Sequence, residues 1–373
     1  MKITSVKIAS ALAFCLLIPC ASACSSVQPS GQSAAKDIPA EKTTSDLPNV
    51  KILATGGTIA GTSDSNTDTT DYTSGQLGVD ALIAAVPEIK TKADVTGEQI
   101  VNFNSPDINS EVLLTLGKRI NDLLASQEVD GVVVTHGTDT LEETAYFLNL
   151  VVKSEKPVVV VGAMRPSTAL SADGPMNLYN AVRLAADPGA KAKGVMVVMN
   201  DRIGAARYTT KTNTSATDSF ASTEQGYLGE FAGEDIRFNA TILKDHTTKT
   251  PFDISKLDAL PQVDILYSYQ NEGRSLFEAA VDAGAKGIVV AGTGNGSMSQ
   301  IAEEAARKTA ADGTLIVRST RVGSGIVTHK PSDDTDNFVS ADSLNPQKAR
   351  ILLSLSLTAT TNREQIQENF NIY

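Results

Sequence analysis

The sequence predicts an α/β protein of two domains: a larger N-terminal domain with an open, mostly parallel sheet flanked by helices, and a smaller C-terminal α/β domain. Short apolar runs alternate with segments of helical period, which is the order of elements in α/β folds. The apolar runs are continuous rather than alternating, as in strands that are buried on both faces of a parallel sheet. A polar stretch interrupts the pattern near residue 250, and 373 residues suffice for two cores.

The N-terminal domain is predicted over residues 49–240. Its predicted strands are Lys51–Ala54, Gly131–Val134, Pro157–Val161 and Gly194–Met199. Helices are predicted between them near Val79–Val86, Glu111–Ala125, Thr140–Val152 and Pro175–Ala185. The helix near 111–125 carries an apolar stripe, and Ser110 is its predicted N-cap.

A polar stretch at residues 241–261 is predicted to link the domains, and the C-terminal domain is predicted over residues 262–373. Its predicted strands are Asp264–Tyr267, Gly287–Ala291 and Thr314–Arg318. Its helices are predicted near Leu276–Ala283, Gln300–Ala311 and Pro346–Leu357. Asn345 suits the N-cap of the last helix, and Pro346 suits its first position.

Residues 1–23 have the pattern of a secretory signal peptide. Lys2 and Lys7 precede an apolar run that is too short to span a bilayer, and small residues at 21–23 mark a cleavage site. Cys24 follows, so the junction also resembles a bacterial lipoprotein processing site; simple cleavage and lipidation of Cys24 are the two alternatives. Residues 24–48 contain almost no large apolar side chain and are predicted to form a flexible tether. The expected location is the periplasm or cell envelope.

Composition narrows the function classes. Cys15, Cys20 and Cys24 all lie in or just after the signal, so the folded body is predicted to have no disulfide and no cysteine metal site. The formal net charge is −11 at pH 7, and no run rich in Lys and Arg offsets it. Binding to nucleic acid or to an anionic membrane surface is therefore disfavoured.

Two threonine motifs directly follow predicted strands. Thr55–Gly61 contains Thr58 beside a Gly-Gly pair, and Thr135–Thr140 contains Thr138 and Asp139. Ligands of open α/β sheets bind at the carboxyl ends of strands, so both motifs are expected to face one crevice. Two hydroxyls, a carboxylate and exposed backbone N–H groups at such an edge indicate hydrolytic chemistry.

Each motif has a simpler interpretation. Gly56-Gly57-Thr58 could be a phosphate or dinucleotide loop, but its spacing fits neither Gly-x-Gly-x-x-Gly nor the P-loop. In the second motif, Thr140 with Glu143 and Asp139 with Glu142 have the spacing of a capping box, and one of these boxes is expected to form. Capping is compatible with catalysis, because a helix N-terminus also presents N–H groups that can hold an oxyanion.

The group that activates a threonine is expected not to be histidine. The chain has only His136, His246 and His329, and His136 in a tight turn is more typical of a structural hydrogen bond. A lysine of lowered pKa, a tyrosinate or a carboxylate remain as candidates. Lys211, within a hydroxyl-rich stretch, is the preferred lysine; the alternative is an exposed surface lysine.

Taken together, these residues resemble the bacterial type II L-asparaginases, the exported branch of the asparaginase/glutaminase family. The segments that carry the resemblance are residues 52–60, 135–145, 161–166, 173–178, 210–213 and 345–350, and the likeness covers residues 47–373. It implies a two-domain amide hydrolase without metal or organic cofactor. It also implies a homotetramer, a dimer of dimers, in which the C-terminal domain completes the active site of a neighbouring subunit.

The resemblance also implies residue roles. Thr58 would attack the side-chain amide carbonyl of asparagine, ammonia would leave, and water would release aspartate from the acyl-enzyme. Tyr72 would lie near Thr58 on a mobile loop. Thr138, Lys211 and Asp139 would form a second catalytic group, consisting of a hydroxyl, a lysine and a carboxylate. The implied substrate-binding positions are Gly57, Ser105 and Pro106, Thr138 and Asp139, Ala163 and Ser297. Ser105 would bind the α-carboxylate, Asp139 the α-ammonium, and the Ala163 carbonyl would line the amide end.

The pair formed by Asp139 and Lys211 presents a tension. A lysine has an ordinary pKa of about 10.4, and a base near neutral pH needs a value of roughly 7–8, which a neighbouring carboxylate opposes. A coupled titration, in which the substrate ammonium draws Asp139 away, is a hypothesis that reconciles the two. Replacing Asp139 by Asn tests the coupling, since an unchanged basic limb of the pH–rate profile would contradict it.

Three departures from the commoner family pattern bear on specificity. Pro106 follows Ser105 where many members have Gln or Glu, and it offers neither a side-chain nor a backbone donor. Ser297 occupies a position that is Asn in some members, and residues 328–333 lack a frequent glutamate. We expect asparagine to be preferred over glutamine. The alternatives are a broad glutaminase-asparaginase and, from another class, a tethered amino-acid-binding protein without catalysis.

Overall fold

The computed structural model describes residues 47–373. The predicted signal at 1–23 and all but the last two residues of the predicted tether at 24–48, including Cys24, lie outside the described residues. The prediction of an α/β fold with a large, mostly parallel sheet and a second, smaller sheet is confirmed. Within residues 47–373, no helix combines the length and the apolar character needed to cross a membrane.

The larger sheet has eight strands in the spatial order β10-β9-β6-β5-β4-β3-β1-β2. Pairing is parallel from β2 through β1, β3 and β4 to β5, and antiparallel from β5 through β6 and β9 to β10. A separate two-stranded sheet pairs β7 with β8. The strands are β1 (Asn49–Gly56), β2 (Asp94–Phe103), β3 (Gly131–Thr135), β4 (Val158–Val161), β5 (Val195–Met199), β6 (Arg202–Ala205), β7 (Thr210–Lys211), β8 (Phe220–Ala221), β9 (Gly229–Ala232) and β10 (Asp235–Phe238).

The smaller sheet is parallel, with the order β11-β12-β13-β14. Its strands are β11 (Val263–Tyr267), β12 (Gly287–Gly292), β13 (Leu315–Thr320) and β14 (Phe338–Ser340). Helices accompany both sheets: α1 (Val79–Ala84), α2 (Ser110–Ala125), α3 (Leu141–Val151), α4 (Gly174–Ala186), α5 (Ser275–Asp282), α6 (Gln300–Ala311), α7 (Pro331–Asp336), α8 (Pro346–Ser356) and α9 (Arg363–Ile372).

The predicted strands and helices are present, with ends that differ by one or two residues at most boundaries. The central strands were predictable because they are buried on both faces; every residue of β4 is a buried valine. The elements that were not predicted are β2, β6, β7, β8, β9, β10, β14, α7 and α9. Strands β2, β9 and β10 lack a continuous apolar run, because most of their residues are half-exposed or exposed. The prediction of Ser110 as an N-cap is wrong: Asn109 caps α2 by accepting from the Val112 N–H at 3.0 Å.

One hydrophobic cluster joins the two sheets. It contains Leu113 and Phe147 from the helices of the larger sheet and Val289 and Leu352 from the smaller-sheet side. Helices α3 and α8 pack against each other, and both contribute residues to this cluster. Residues 241–261, the predicted linker, contain no α-helix or β-strand, and Phe252 from this segment is buried in the same cluster. Burial of this shared apolar surface fixes α3 relative to α8.

Candidate active site

The first threonine motif leaves β1 through two glycines with positive φ. Gly56 has φ +100° and Gly57 has φ +80°, values that residues with a Cβ rarely adopt. The chain then makes a single turn of 3₁₀ helix over Thr58–Ala60. Thr58 lies at the start of this turn with only 5% of its surface exposed. The glycines therefore bend the backbone so that the Thr58 hydroxyl lies at the carboxyl end of β1, which has a parallel neighbour on each side.

The second threonine motif meets the first, backbone against backbone. Strands β1 and β3 are adjacent and parallel, with Ala54 paired to Thr135. A Cβ atom at Gly57 would collide with the Gly137 backbone, and one at Gly137 would lie 2.8 Å from the Ser105 side chain. Thr138 follows with 4% of its surface exposed. The sheet thus brings Thr58, Thr138 and Ser105 to one edge.

Tyr72 reaches Thr58 from a loop. Its Oη lies 2.7 Å from Thr58 Oγ1, within hydrogen-bonding distance. The ends of the loop are joined by an antiparallel β-bridge, in which Thr62 and Thr73 exchange two backbone hydrogen bonds. A Cβ at Gly61 would lie 3.0 Å from the Tyr72 ring, so glycine leaves the space the ring occupies. Thr58 therefore has a phenol as its immediate hydrogen-bonding partner.

Lys211 reaches Thr138 from the β7–β8 hairpin. Its Nζ donates to Thr138 Oγ1 at 3.0 Å and to Asp139 Oδ1 at 2.7 Å. The lysine side chain is 15% exposed, whereas Asp139 is 60% exposed. Asp139 thus touches Lys211 directly, and its carboxylate also faces solvent. An open cleft of about 410 Å³ adjoins this pair and is further lined by Glu142, Gln347 and residues 212–214.

The remaining predicted binding positions of the N-terminal sheet surround the same edge. Ser105 is buried and begins a 3₁₀ turn in which the exposed Pro106 is the next residue. Ala163 is buried just after β4. Asp173 fixes the loop behind Ala163, since its carboxylate accepts from the Met164 N–H at 2.9 Å and the Arg165 N–H at 3.0 Å.

Ser297 lies elsewhere, in the exposed turn after β12 of the smaller sheet. Its N–H donates to the Thr293 carbonyl at 2.8 Å. Among residues 47–373, no hydrogen bond joins Ser297 to Thr58, Thr138 or Lys211. The buried Arg318 fastens this turn to residues 328–333, because it bonds Asp333 and the carbonyls of Asn295 and Thr328.

His136 is fully buried and structural, as its position in a tight turn suggested. Its Nδ1–H donates to the Gly137 carbonyl at 2.7 Å, which leaves Nε2 to accept from Thr144 Oγ1 at 2.8 Å. Burial lowers the pKa of His136 to about 4, although the Gly137 bond opposes the shift. The ring is therefore neutral near pH 7 and holds the turn between the motif and α3.

The prediction of a capping box at the start of α3 is wrong. Thr140 occupies the N-cap position, but its hydroxyl donates to the Ser105 carbonyl at 2.8 Å instead of accepting from the helix. Asp139 bonds Lys211, and Glu142 points away from the helix end to more distant partners. Tertiary contacts to the site have replaced local capping in this motif.

Sequence reasoning missed Glu142 and Lys348. Glu142 is buried on α3 and accepts from Thr210 Oγ1 at 2.8 Å and from Asn345 Nδ2 at 2.8 Å. Lys348 is buried on α8, with Nζ 3.6 Å from Glu142. Burial lowers the pKa of Lys348 to about 8, and Glu142 opposes the shift. Charged residues within apolar helices were the available signal, since such groups are rarely buried unless paired.

The described residues contain no group of three or more His, Cys, Asp or Glu side chains placed to hold a metal ion. The side chains that meet at the carboxyl ends of β1 and β3 carry hydroxyls, an ammonium group and a carboxylate. Two buried threonine hydroxyls lie there, each within hydrogen-bonding distance of a second polar group: Tyr72 Oη for Thr58 and Lys211 Nζ for Thr138.

Comparison with known proteins identifies the family. Residues 49–244 match the family described as Asparaginase, N-terminal, and residues 262–370 match the Glutaminase/Asparaginase C-terminal domain. L-asparaginase 2 of Bacillus subtilis is 61% identical over 88% of this chain and 87% of its own. L-asparaginase 2 of Escherichia coli is 51% identical over 88% of this chain and 94% of its own. The chain belongs to the asparaginase family, and the resemblance to its type II branch is confirmed.

A solved structure and two further relatives agree with this assignment. The crystal structure of a probable cytoplasmic L-asparaginase from Campylobacter jejuni has a TM-score of 0.86 and 50% identity, covering 87% of this chain and 100% of its own. A protein of Haemophilus influenzae named as a probable periplasmic L-asparaginase is 49% identical over 87% of this chain and 93% of its own. The glutaminase-asparaginase of Acinetobacter glutaminasificans is 48% identical over 86% and 98%. As a member of this family, the protein is an amide hydrolase.

Proposed function

We propose that this protein hydrolyses L-asparagine to L-aspartate and ammonia, with Thr58 as the nucleophile. The observation that carries the proposal is the buried Thr58 hydroxyl, held 2.7 Å from a phenol at the edge where Thr138 and Lys211 also meet. The names of the relatives support the substrate, and the glycine-bent backbone supports the choice of hydroxyl.

The proposed reaction proceeds through an acyl-enzyme. Thr58 Oγ1 attacks the side-chain amide carbon and gives up its proton, the C–N bond breaks, and ammonia leaves with the added proton. Water then attacks the resulting ester and releases aspartate, and the Thr58 hydroxyl regains a proton. We assign the transfer of these protons to Tyr72 and Lys211, and their hydrogen-bonding distances to Thr58 and Thr138 support the assignment. Backbone N–H groups near Thr58 and Thr138 are the proposed donors to the tetrahedral oxyanion.

The proposed substrate contacts follow from the same edge of the sheet. Asp139 exposes enough of its carboxylate to receive an α-ammonium while it touches Lys211. Ser105 would bind the α-carboxylate, and the carbonyl of Ala163 would line the amide end. Gly57 would approach the substrate through its backbone, which no Cβ obstructs.

We propose that asparagine is preferred and glutamine is a weaker substrate. Pro106 provides neither a side-chain donor nor a backbone N–H beside Ser105, so the polar head common to both amides loses one contact. A pocket with fewer contacts to that head holds the longer substrate less well. The alternative, a broad glutaminase-asparaginase, is favoured by the 48% identical relative of that name. Measuring kcat/KM for both amides separates the two, since equal values would contradict the preference.

Thr58→Ala tests the central proposal. We expect loss of turnover, with the unfolding midpoint and the affinity for aspartate retained, because only one hydroxyl is removed from a site that keeps its binding groups. Thr62→Ala, on the adjacent loop, serves as a control for loss of a threonine hydroxyl. Ammonia release by Thr58→Ala at the wild-type rate would remove Thr58 from the nucleophile role. Absence of ammonia release by the wild-type protein would favour the amino-acid-binding alternative.

Export, lipidation and assembly complete the proposal. The sequence pattern at 1–24 supports export to the periplasm or cell envelope, with Cys24 as the residue that would carry lipid. A homotetramer is proposed, in which Ser297 and its turn serve the site of a neighbouring subunit. Intact-mass measurement on native material tests processing and acylation, and light scattering of the purified protein tests the tetramer.

A further inference from the structure

The position of Lys211 requires support from outside its own strand. In the described part of the chain, strand β7 has two residues and pairs with the two residues of β8, in a hairpin separate from the large sheet. An isolated hairpin of this size is marginally stable. Yet Lys211 Nζ must stay within 3.0 Å of Thr138 and 2.7 Å of Asp139 to form the observed contacts.

Glu142 supplies part of this support from the larger domain. One carboxylate oxygen accepts from Thr210 Oγ1 at 2.8 Å and lies 3.4 Å from the Lys211 backbone nitrogen. The same oxygen accepts from Gln347 Nε2 at 3.2 Å. Glu142 stands on the first turn of α3, three residues after Asp139, so it ties the lysine strand to the helix that begins at the site.

Lys348 supplies the rest from α8 on the smaller-sheet side. Its Nζ donates to the carbonyls of Thr209 at 2.6 Å and Arg207 at 3.1 Å, just before β7. It also lies 3.6 Å from Glu142 Oε2, and the two side chains are only 3% and 5% exposed. The segment Arg207–Lys211 is therefore held at both ends by one buried pair of opposite charges.

We propose that Lys348, together with Glu142, is a positioning residue that sets the location of Lys211 from the C-terminal part of the chain. This inference rests on the proposed function, because it assigns a purpose to Lys211 at the same site. Neither Glu142 nor Lys348 touches the reacting atoms. Their effect passes through the backbone of residues 207–211, whose displacement would break the Lys211 contact with Thr138.

Lys348→Met tests the proposal, since methionine keeps most of the side-chain volume and removes the ammonium. We expect kcat to fall roughly 10- to 100-fold, because misplacement of a catalytic group by about 1 Å costs up to 100-fold in rate. KM is expected to change less than about threefold, because the proposed head-group contacts of Asp139 and Ser105 do not pass through Lys348. A fall in kcat of this size with a stable KM supports positioning.

Lys153→Met is the matched control. Lys153 Nζ also binds backbone, at the Thr250 carbonyl (2.8 Å), and burial lowers its pKa as it does that of Lys348. Lys153 is exposed and follows α3 by two residues, at the opposite end of the helix from Glu142. Both variants are expected to unfold at lower temperature, and only Lys348→Met is expected to lose kcat when assayed well below its melting point. Equal kcat in the two folded variants would overturn the proposal.

A double-mutant cycle asks whether Lys348 acts through Lys211. In a Lys211→Met background, the added change Lys348→Met is expected to alter the residual rate by less than about twofold, because the group it positions is already gone. Multiplicative loss in the double variant would overturn the proposal. If Lys348→Met fails to fold, Glu142→Gln replaces it in the same cycle, with the same two outcomes.

Failure of this inference is distinguishable from failure of the proposed function. A wild-type protein that releases ammonia from asparagine and loses that activity in Thr58→Ala, but tolerates Lys348→Met, would reject the positioning role alone. A wild-type protein that releases no ammonia would reject the function itself.

Discussion

The two threonine hydroxyls of the site have similar burial but differently supported partners. Thr58 pairs with Tyr72, which is carried by a loop fastened through exposed hydrogen bonds, such as the bond from Ser63 N–H to Thr168 Oγ1 at 2.9 Å. Thr138 pairs with Lys211, whose backbone is fixed by the buried network of Glu142 and Lys348. Loops with exposed hydrogen bonds open at low free-energy cost, whereas buried charged networks resist displacement.

This contrast indicates a division of labour. A tyrosine on a loop held by exposed hydrogen bonds can withdraw to admit substrate and return to cover the proposed nucleophile. A lysine fixed from two domains suits a step that needs constant geometry. The expectation is that removing Lys211 damages the chemical step alone, whereas removing the Tyr72 hydroxyl damages both chemistry and closure.

Lys211→Met is expected to have the largest effect among variants of the two proposed proton carriers, Lys211 and Tyr72. We expect kcat to fall roughly 1,000-fold, within the range for loss of a general acid–base group. KM should change little, because Lys211 is not among the proposed head-group contacts. Steady-state ammonia release measures both constants, and Lys191→Met, at an exposed lysine, provides the control. A variant with kcat near that of the wild-type protein would contradict a catalytic role for Lys211 and leave it as an ion-pair partner of Asp139.

Tyr72→Phe is expected to have a smaller and mixed effect. The ring still fills the space beside Gly61, but Thr58 loses its hydrogen-bonding partner. We expect kcat to fall roughly 100-fold and KM to rise, since loop closure over bound substrate also loses this bond. Tyr179→Phe, on α4, controls for the loss of a phenol. A change confined to kcat would show that Tyr72 and Lys211 serve in the same manner, against the proposed contrast.

Asp139→Asn probes the proposed contact with the α-ammonium of the substrate, besides the coupling with Lys211. The carboxylate that would receive the α-ammonium becomes neutral, and loss of a charged hydrogen bond costs about 1.5–3 kcal/mol. We therefore expect kcat/KM for asparagine to fall roughly 10- to 100-fold, mainly through KM. Asp235→Asn serves as the control. It removes a comparably exposed carboxylate that pairs with Arg237, and this pair is nearly 100 residues from Asp139 in the sequence. Equal kcat/KM in both variants would argue against Asp139 as the ammonium contact.

His136→Gln is expected to alter stability at acid pH and to leave neutral-pH turnover the least affected. The pKa of His136 is about 4 when folded, against an ordinary value near 6.5, so the unfolded chain binds more protons between these values. Stability is therefore lost as pH falls from 6.5 towards 4, by about 3 kcal/mol. Urea unfolding at pH 7 and pH 4 should show a smaller difference in the free energy of unfolding for the variant. An unchanged difference would show that His136 does not titrate as inferred.

Much of this protein was predictable from local sequence. Continuous apolar runs specify the central strands whatever their neighbours are, because a strand covered on both faces needs apolar residues throughout. The same holds for the threonine motifs, since positive φ at Gly56 and Gly57 requires glycine and marks the bend that presents Thr58. The structural role of His136 also followed from a local feature, its place in a tight turn.

Polar contacts between residues distant in sequence were decided only by the tertiary structure. Glu142 has the local spacing of a capping residue, yet it bonds Asn345, 203 residues away, because the packing of α3 on α8 brings them together. Asn109 rather than Ser110 caps α2, a choice between two adjacent residues of similar propensity. The apolar periodicity of a segment can be read from that segment alone, but the partner of a buried charge depends on the whole fold. The sequence alone therefore determined the buried strands, most of the helices and the nucleophile candidate, and the assembled fold determined what holds Lys211 in place.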